Sequence, residues 1–334
     1  MPNRPRVSVL VAARDEADTI GDCLLALAAL NSPFGGYEIL IGNDASTDQT
    51  AQLVADFIAD KPHFRLIDIL PGDVTRLNGK ARVLAELSRH ATGEFLFITD
   101  ADVRVPPTWL TGMLVEFGPE TGIVTGTTLV AGRSIWARLQ ALDWLLAFGL
   151  IELATILKWP ITGSGNNMAF RQTAYDAVGG FEGLPFSVVE DYTLFQAIVA
   201  KGFRFRHRLR PDVLAETLPS PTVGAFLQQR KRWMYGAFSL PPLLLGGVLF
   251  QYLLVPFLTV LALFAPKLAG LIYLSKLIFQ NAVLLWTLGR THQRHRWPNV
   301  FLFEPYQVIS GIVCMVYYLL PGGIRWKGRE YTSV

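Results

Sequence analysis

Between Arg232 and Lys267 the chain carries no charged residue. The run from Trp233 to Pro266 exceeds the roughly 20 residues a helix needs to cross a hydrocarbon core about 30 Å thick, so a purely soluble chain is excluded and one membrane crossing is expected. Leu268 to Leu288 is a second candidate, interrupted by Lys276, since a charge at bilayer depth costs about 3 kcal/mol on insertion scales. Pro305 to Ile324 is a third and is uncharged. With 51% hydrophobic and 17% charged residues, the chain is more apolar than most soluble domains. The charge is divided unevenly. Residues 234 to 334 hold eight Lys/Arg and two acids, a net of +6, which leaves −3 for residues 1 to 233 out of the total of +3. That balance argues against a nucleic-acid partner, which calls for a clear basic excess.

Cys23 and Cys314 lie far apart and suggest neither a disulfide framework nor a cysteine zinc site. Before Arg14, Asp15 and Glu16 only Val7 to Ala13 is apolar, too short for a signal peptide, and the first two thirds are expected on the cytosolic side. The positive-inside rule then meets a conflict. Arg290, Arg294 and Arg296 fall inside after two crossings, but Arg325, Lys327 and Arg329 fall outside after three. An even number of crossings, with one segment re-entrant or interfacial, removes it.

Residues 6 to 130 alternate β-branched runs with helical patterns, which signals an α/β fold with a mostly parallel sheet. Strands are predicted at 6–12, 37–43, 64–69, 94–99 and 122–130, with helices at 18–30, 47–60 and 79–91 between them. Residues 133–160 read as one or two amphipathic helices. Residues 161–216 return to mixed character, with a helix near 190–201 and a strand at 203–208, and a helix near 222–235 follows.

In an open sheet of this kind ligands bind at the carboxyl ends of the strands, and the polar residues there are acids. Asp44 follows the second strand, and Asp100 and Asp102 follow the fourth. Singly, Asp44 or Asp48 is as readily a helix cap. Asp-X-Asp places two carboxylates near one point, which suits an oxygen-ligated divalent cation bridging nucleotide phosphates, although the tripeptide alone is a weak signal. Glu190-Asp191 opens a helix after the Gly-rich Thr162 to Asn167, and Gln229-Arg230-Lys231-Arg232-Trp233 precedes the uncharged run. Each has a plainer reading: Asp191 as a cap, and the three basic residues as a collar for lipid headgroups. Those readings do not account for all four elements in this order.

In that order the elements resemble family 2 glycosyltransferases of the GT-A fold, in the membrane-bound branch that includes ceramide, carotenoid and hopanoid-type lipid glycosyltransferases and the processive polysaccharide synthases. The resemblance covers about residues 6 to 235. It matches Asp44 to the first family aspartate, Asp100 and Asp102 to the metal-binding Asp-X-Asp, Asp191 to the third aspartate, and Gln229, Arg232 and Trp233 to Gln-X-X-Arg-Trp. Val11-Ala12-Ala13-Arg14-Asp15-Glu16 is similar to the opening strand that cradles the base, Asn78-Gly79-Lys80-Ala81 to the lysine-bearing turn near the diphosphate, and Gly163 to Asn167 to the loop lining the acceptor subsite.

The resemblance implies a GT-A domain over 1–235, with interfacial helices at 133–160 and the acceptor side at 161–235. A membrane domain follows over 236–334, with hydrophobic segments at about 240–265, 268–288 and 305–324. It implies an inverting transfer of one hexose from a nucleotide-diphosphate sugar, UDP-hexose in the first instance, to a membrane lipid. Asp191 is then the general base, Mg²⁺ or Mn²⁺ on Asp102 neutralises the leaving diphosphate, and Arg232 assists. Asp44 serves the nucleobase, Asp100 ribose or sugar hydroxyls, Lys80 the phosphates, and Trp233 the acceptor or sugar. A multi-pass protein of a bacterial-type inner membrane, with its catalytic domain cytosolic, follows. A processive polysaccharide synthase, a polyprenyl-phosphate sugar synthase and a catalytically dead nucleotide-sugar sensor remain as alternatives.

Overall fold

The computed structural model describes residues 6–31, 36–70, 77–161, 165–237, 242–326 and 329–331. The chain forms two compact units. The first comprises residues 1–131 and 150–218, the second 132–149 and 219–334.

The first unit begins with β1 (Val7–Ala13), α1 (Ile20–Ala28), β2 (Tyr37–Asn43), α2 (Thr50–Ile58), β3 (Phe64–Asp68), α3 (Gly79–His90) and β4 (Phe95–Asp100). It continues through β5 (Val103–Arg104), α4 (Trp109–Leu114), β6 (Thr121–Gly126) and β7 (Thr128–Val130). The boundary between the units falls inside the next helix, α5 (Ile135–Ile156), and the first unit resumes with β8 (Asn167–Arg171), α6 (Gln172–Ala177), α7 (Glu190–Ala200), β9 (Arg204–Arg208) and β10 (Ala215–Thr217). The second unit closes with α8 (Val223–Ala237), α9 (Pro242–Phe264), α10 (Pro266–Arg290), α11 (Val300–Leu319) and a short hairpin of β11 (Ile324–Trp326) and β12 (Arg329–Tyr331).

Seven strands form one sheet in the order β3-β2-β1-β4-β8-β6-β9, parallel except where β8 runs against β4 and β6. β1 is buried on both faces, which explains its nearly continuous apolar sequence. One side of the sheet packs Val9, Val11, Phe97 and Trp109, and the other packs Leu10, Leu40, Leu84 and Phe170. α3 lies close on β2: a Cβ on Gly42 would stand 2.4 Å from Val83 Cγ1, a distance that only glycine permits. The run predicted as one strand at 122–130 is two strands in different sheets. β6 belongs to the seven-stranded sheet, and β7 pairs with β10 in a three-stranded one. The break lies at Thr127, whose hydroxyl donates to Arg208 O at 3.0 Å.

Residues 133–160 hold one continuous helix rather than a pair. Among the described residues four helices are long and apolar enough to cross a membrane: Ile135–Ile156, Leu245–Phe264, Pro266–Arg290 and Arg294–Leu319. α10 runs unbroken through Lys276 because that ammonium is ion-paired with Glu304 of α11. Glu304 also accepts from Tyr273 Oη at 2.8 Å and Gln280 Nε2 at 2.9 Å. Pairing removes most of the cost of a lone charge among apolar helices, and it lets α11 begin at Val300 rather than after Glu304.

Candidate active site

Register sets the site. Ala12 of β1 stands opposite Gly42 of β2 and Asp100 of β4, so the residues after these three strands share one edge of the sheet. Two loops there are held in left-handed backbone at non-glycine residues, Asp15 and Ala45, each with φ of 50°. Backbone strain of this kind persists only where surrounding contacts fix it. Those contacts are present. Asp15 Oδ1 accepts from Thr47 N at 2.7 Å, Glu16 N donates to Thr50 Oγ1 at 2.8 Å, and Ala17 N donates to Asp48 Oδ2 at 3.0 Å. Asp48 also takes the backbone N–H of Thr50 at 2.9 Å. It therefore clamps the two loops, which is the structural reading of that residue.

Asp44 is buried and its carboxylate meets Arg82 Nη2 at 2.6 Å, while Arg14 Nη1 donates to the backbone oxygen of Asp44 at 2.6 Å. The motifs in the sequence do not include Arg82. The only signal was a second cation two residues beyond Lys80, on a helix that starts at the site.

Lys80 lies in the first turn of α3, behind the Asn78 cap, whose side chain accepts from Ala81 N at 2.8 Å. Its ammonium pairs with Asp100 and lies 3.6 Å from Glu190 Oε1. Asn78 Nδ2 donates to Glu190 Oε2 at 2.8 Å and to Ser187 O at 2.7 Å. α3 thus ties the strand carrying Asp100 to the start of α7. Burial alone would weaken the Lys80 charge, but the Asp100 and Glu190 carboxylates outweigh it and hold its pKa above the ordinary lysine value.

Asp191, in the first turn of α7, accepts from Gly165 N at 2.7 Å on Oδ2 and from Tyr192 N at 2.8 Å on Oδ1. Its pKa is raised: burial contributes most, the adjacent Glu190 carboxylate adds to it, and Lys80 opposes. Two backbone N–H donors thus fix the Asp191 carboxylate while burial and Glu190 raise its proton affinity. Of the Gly-rich loop, Thr162 to Ser164 lie outside the described residues. Gly165 supplies the donor to Asp191, and Asn167 is structural, donating to Thr127 O and Val213 O at 2.9 Å each. A Cβ at Gly165 would stand 2.4 Å from Asp191 Cβ and 2.7 Å from Oδ2. Gly165→Ala is therefore expected to displace the Asp191 carboxylate and lower kcat about tenfold or more with circular dichroism unchanged.

Asp102 follows β4 in a turn and is half-buried. Beneath it Cys23 is buried, and its Sγ donates to Asp100 O at 3.6 Å. Burial pushes the Cys23 thiol pKa up, and Asp102, Asp100 and Glu16 push it further in that order. The charges of these three acids all bear on Cys23, although among the described residues no three side chains form a ready-made metal cage. This donor set fits a hard divalent cation that takes one or two carboxylates and completes its shell with substrate phosphates.

Gln229, Arg232 and Trp233 lie on α8 in the second unit. Gln229 Oε1 accepts from Ser220 Oγ at 3.3 Å, and the Trp233 ring stands 5.6 Å from that of Trp144. The neighbouring basic residues do not form a headgroup collar. Arg230 is ion-paired with Asp143, and Lys231, 4% exposed, donates to Leu320 O at 2.9 Å.

The model of glycosyl transferase family 21 matches residues 24–333 of this chain. The chain belongs to glycosyl transferase family 21. The motifs resemble family 2, and family 21 is of the same GT-A type. The poly-beta-1,6-N-acetyl-D-glucosamine synthase of Staphylococcus epidermidis is 30% identical over 235 residues, which is 69% of this chain and 54% of the relative. The synthase of the same name from Staphylococcus aureus is 28% identical over 234 residues, with the same coverage. The chain thus spans about half the length of the curated relatives it matches. A solved mannosyltransferase, PcManGT from Pyrobaculum calidifontis in complex with GDP-Man and Mn2+, aligns over 96% of this chain and 89% of its own, with 22% identity and a TM-score of 0.56. That likeness shows the fold. The family 21 chain is a glycosyltransferase with a GT-A α/β domain, and its C-terminal apolar helices are long enough to span a membrane.

Proposed function

We propose that the enzyme transfers one hexose from a nucleotide-diphosphate sugar to a membrane lipid with inversion at the anomeric carbon. The observation that carries this reading is the Asp191 carboxylate, oriented by Gly165 and Tyr192 and raised in proton affinity. A base so placed removes the proton from an acceptor hydroxyl as its oxygen attacks the anomeric carbon and the diphosphate leaves. Asp44, fixed by Arg82, accepts from the nucleobase, Asp100 from ribose or sugar hydroxyls, and Lys80 lies toward the phosphates. Asp102 would hold Mg²⁺ or Mn²⁺, which when bound neutralises charge on the leaving diphosphate. The nucleotide sugar and Mn2+ named for PcManGT support this assignment of donor and cation.

The lipid acceptor rests on the apolar helices. α9, α10 and α11 expose Phe250, Phe257, Leu263, Ile278 and Ile309, a surface that suits lipid rather than water. α5 is read as lying in the interface rather than crossing. The strands before and after it, β7 and β8, belong to the same compact unit. At its end Ile156, Leu157 and Trp159 are 62%, 59% and 50% exposed beside Lys158, a composition that suits the headgroup region.

The names of the staphylococcal relatives favour a second reading, a processive polysaccharide synthase. One experiment separates the two. The full chain in detergent with Mn²⁺ is given UDP- and GDP-sugars and a total lipid extract from its source cell, and the lipid fraction is read by mass spectrometry. One hexose increment on a lipid is expected. A ladder of increments, or sugar only in a water-soluble polymer, replaces the proposal with the synthase.

A further inference from the structure

We infer that Arg230, held by Asp143, is a positioning residue that sets the Trp233 ring for the acceptor; this rests on the proposed reading in which Trp233 packs beside that acceptor. Arg230 is the second residue of Gln229-Arg230-Lys231-Arg232-Trp233, a place the motif leaves unspecified. Its guanidinium is buried within the second unit and ion-paired with Asp143, with only 14% and 20% of the two side chains exposed. The same guanidinium lies over two rings, with its Cζ 4.5 Å from the centroid of Trp233 and 4.9 Å from that of Phe226. Trp144, one residue after Asp143 on α5, stands 5.6 Å from Trp233 and is tilted by 59°.

The arrangement differs from a surface salt bridge in purpose. A planar guanidinium can stack on an indole and engage a carboxylate at the same time, which a lysine ammonium does not reproduce. Residues 230 and 233 are three apart on α8, so the arginine and the indole share a face, and Asp143 fixes that face against α5. A buried ion pair adds little stability over an apolar substitute. Its effect here is orientation. Lys231 and Gln228 anchor the rest of α8 at Leu320 O and at Tyr317 Oη, 2.9 and 2.6 Å away, which leaves Arg230 as the α8 residue that links the indole to Asp143.

The test is a double-mutant cycle on the full chain in detergent, assayed with the UDP- and GDP-sugar panel and total lipid extract, and followed by nucleotide binding and tryptophan emission. Arg230→Lys is expected to lower kcat about tenfold and Trp233→Ala about a hundredfold, with nucleotide affinity unchanged. The double variant is expected to match Trp233→Ala within about twofold, because a residue acting through Trp233 has nothing left to position. Tryptophan emission should shift in Arg230→Lys and not respond to the same change in the Trp233→Ala background. A further tenfold loss in the double variant overturns the inference. So does wild-type turnover of Arg230→Lys beside an inactive Trp233→Ala, which leaves the acceptor reading intact. Wild-type turnover of Trp233→Ala removes that reading and the inference with it. Should Arg230→Lys not fold, Asp143→Asn carries the same cycle.

Discussion

Asp191→Asn is expected to lower sugar transfer about 10²- to 10⁴-fold and to leave nucleotide-sugar affinity near that of the wild type. The amide keeps the size of the side chain and one oxygen to accept from Gly165 or Tyr192, so the fold of the first turn of α7 is preserved and only the proton acceptor is lost. Single-turnover rates and calorimetric donor binding check it; transfer that persists places the base elsewhere. The pH dependence has a definite sign. Burial first and Glu190 second raise the Asp191 pKa, so the base is partly protonated above the ordinary carboxylate range and turnover climbs with pH as it ionises.

Stability moves the other way. Asp191 keeps its proton in the folded state to a higher pH than in the unfolded chain, so the native state binds more protons between the two pKa values and stability falls as pH rises through that window. Asp191→Asn removes this term. The inactive variant should therefore melt no lower than the wild type at neutral pH, and above it where Asp191 is ionised.

The carboxylates were legible in the sequence because each belongs to a position that the fold forces to one place. Asp44, Asp100 and Asp102 end parallel strands, and in-register pairing of β1, β2 and β4 brings those ends together without further information. Asp191 was legible from its order among the other motifs. The residues that hold them were not. Arg82 on Asp44, Glu190 on Lys80 and Asn78, and Asp143 on Arg230 are pairings between elements distant in the chain, and no periodicity encodes them. The same limit explains the membrane segments: in the sequence Lys276 reads as an interruption and Glu304 as a boundary, whereas in the structure the two form one ion pair. The split of 122–130 into β6 and β7 depends on β8, β9 and β10, which come later in the sequence.

Asp102→Ala is expected to remove the part of nucleotide binding that depends on Mg²⁺ or Mn²⁺ and to lower turnover about 10²- to 10³-fold, in the range of losing one group that stabilises developing charge. Metal-free affinity for the nucleotide should remain, because Asp44, Arg82 and Arg14 form their contacts without Asp102. The contrast is with Asp100→Asn. Asp100 already serves as the partner of buried Lys80, so that substitution weakens an organising ion pair and should cost stability as well as activity. Titrating Mn²⁺ against the chain with UDP and with GDP, and following melting of both variants, separates the roles. Metal-dependent affinity that survives Asp102→Ala places the cation elsewhere, with Glu16, whose charge also bears on Cys23, the next to change.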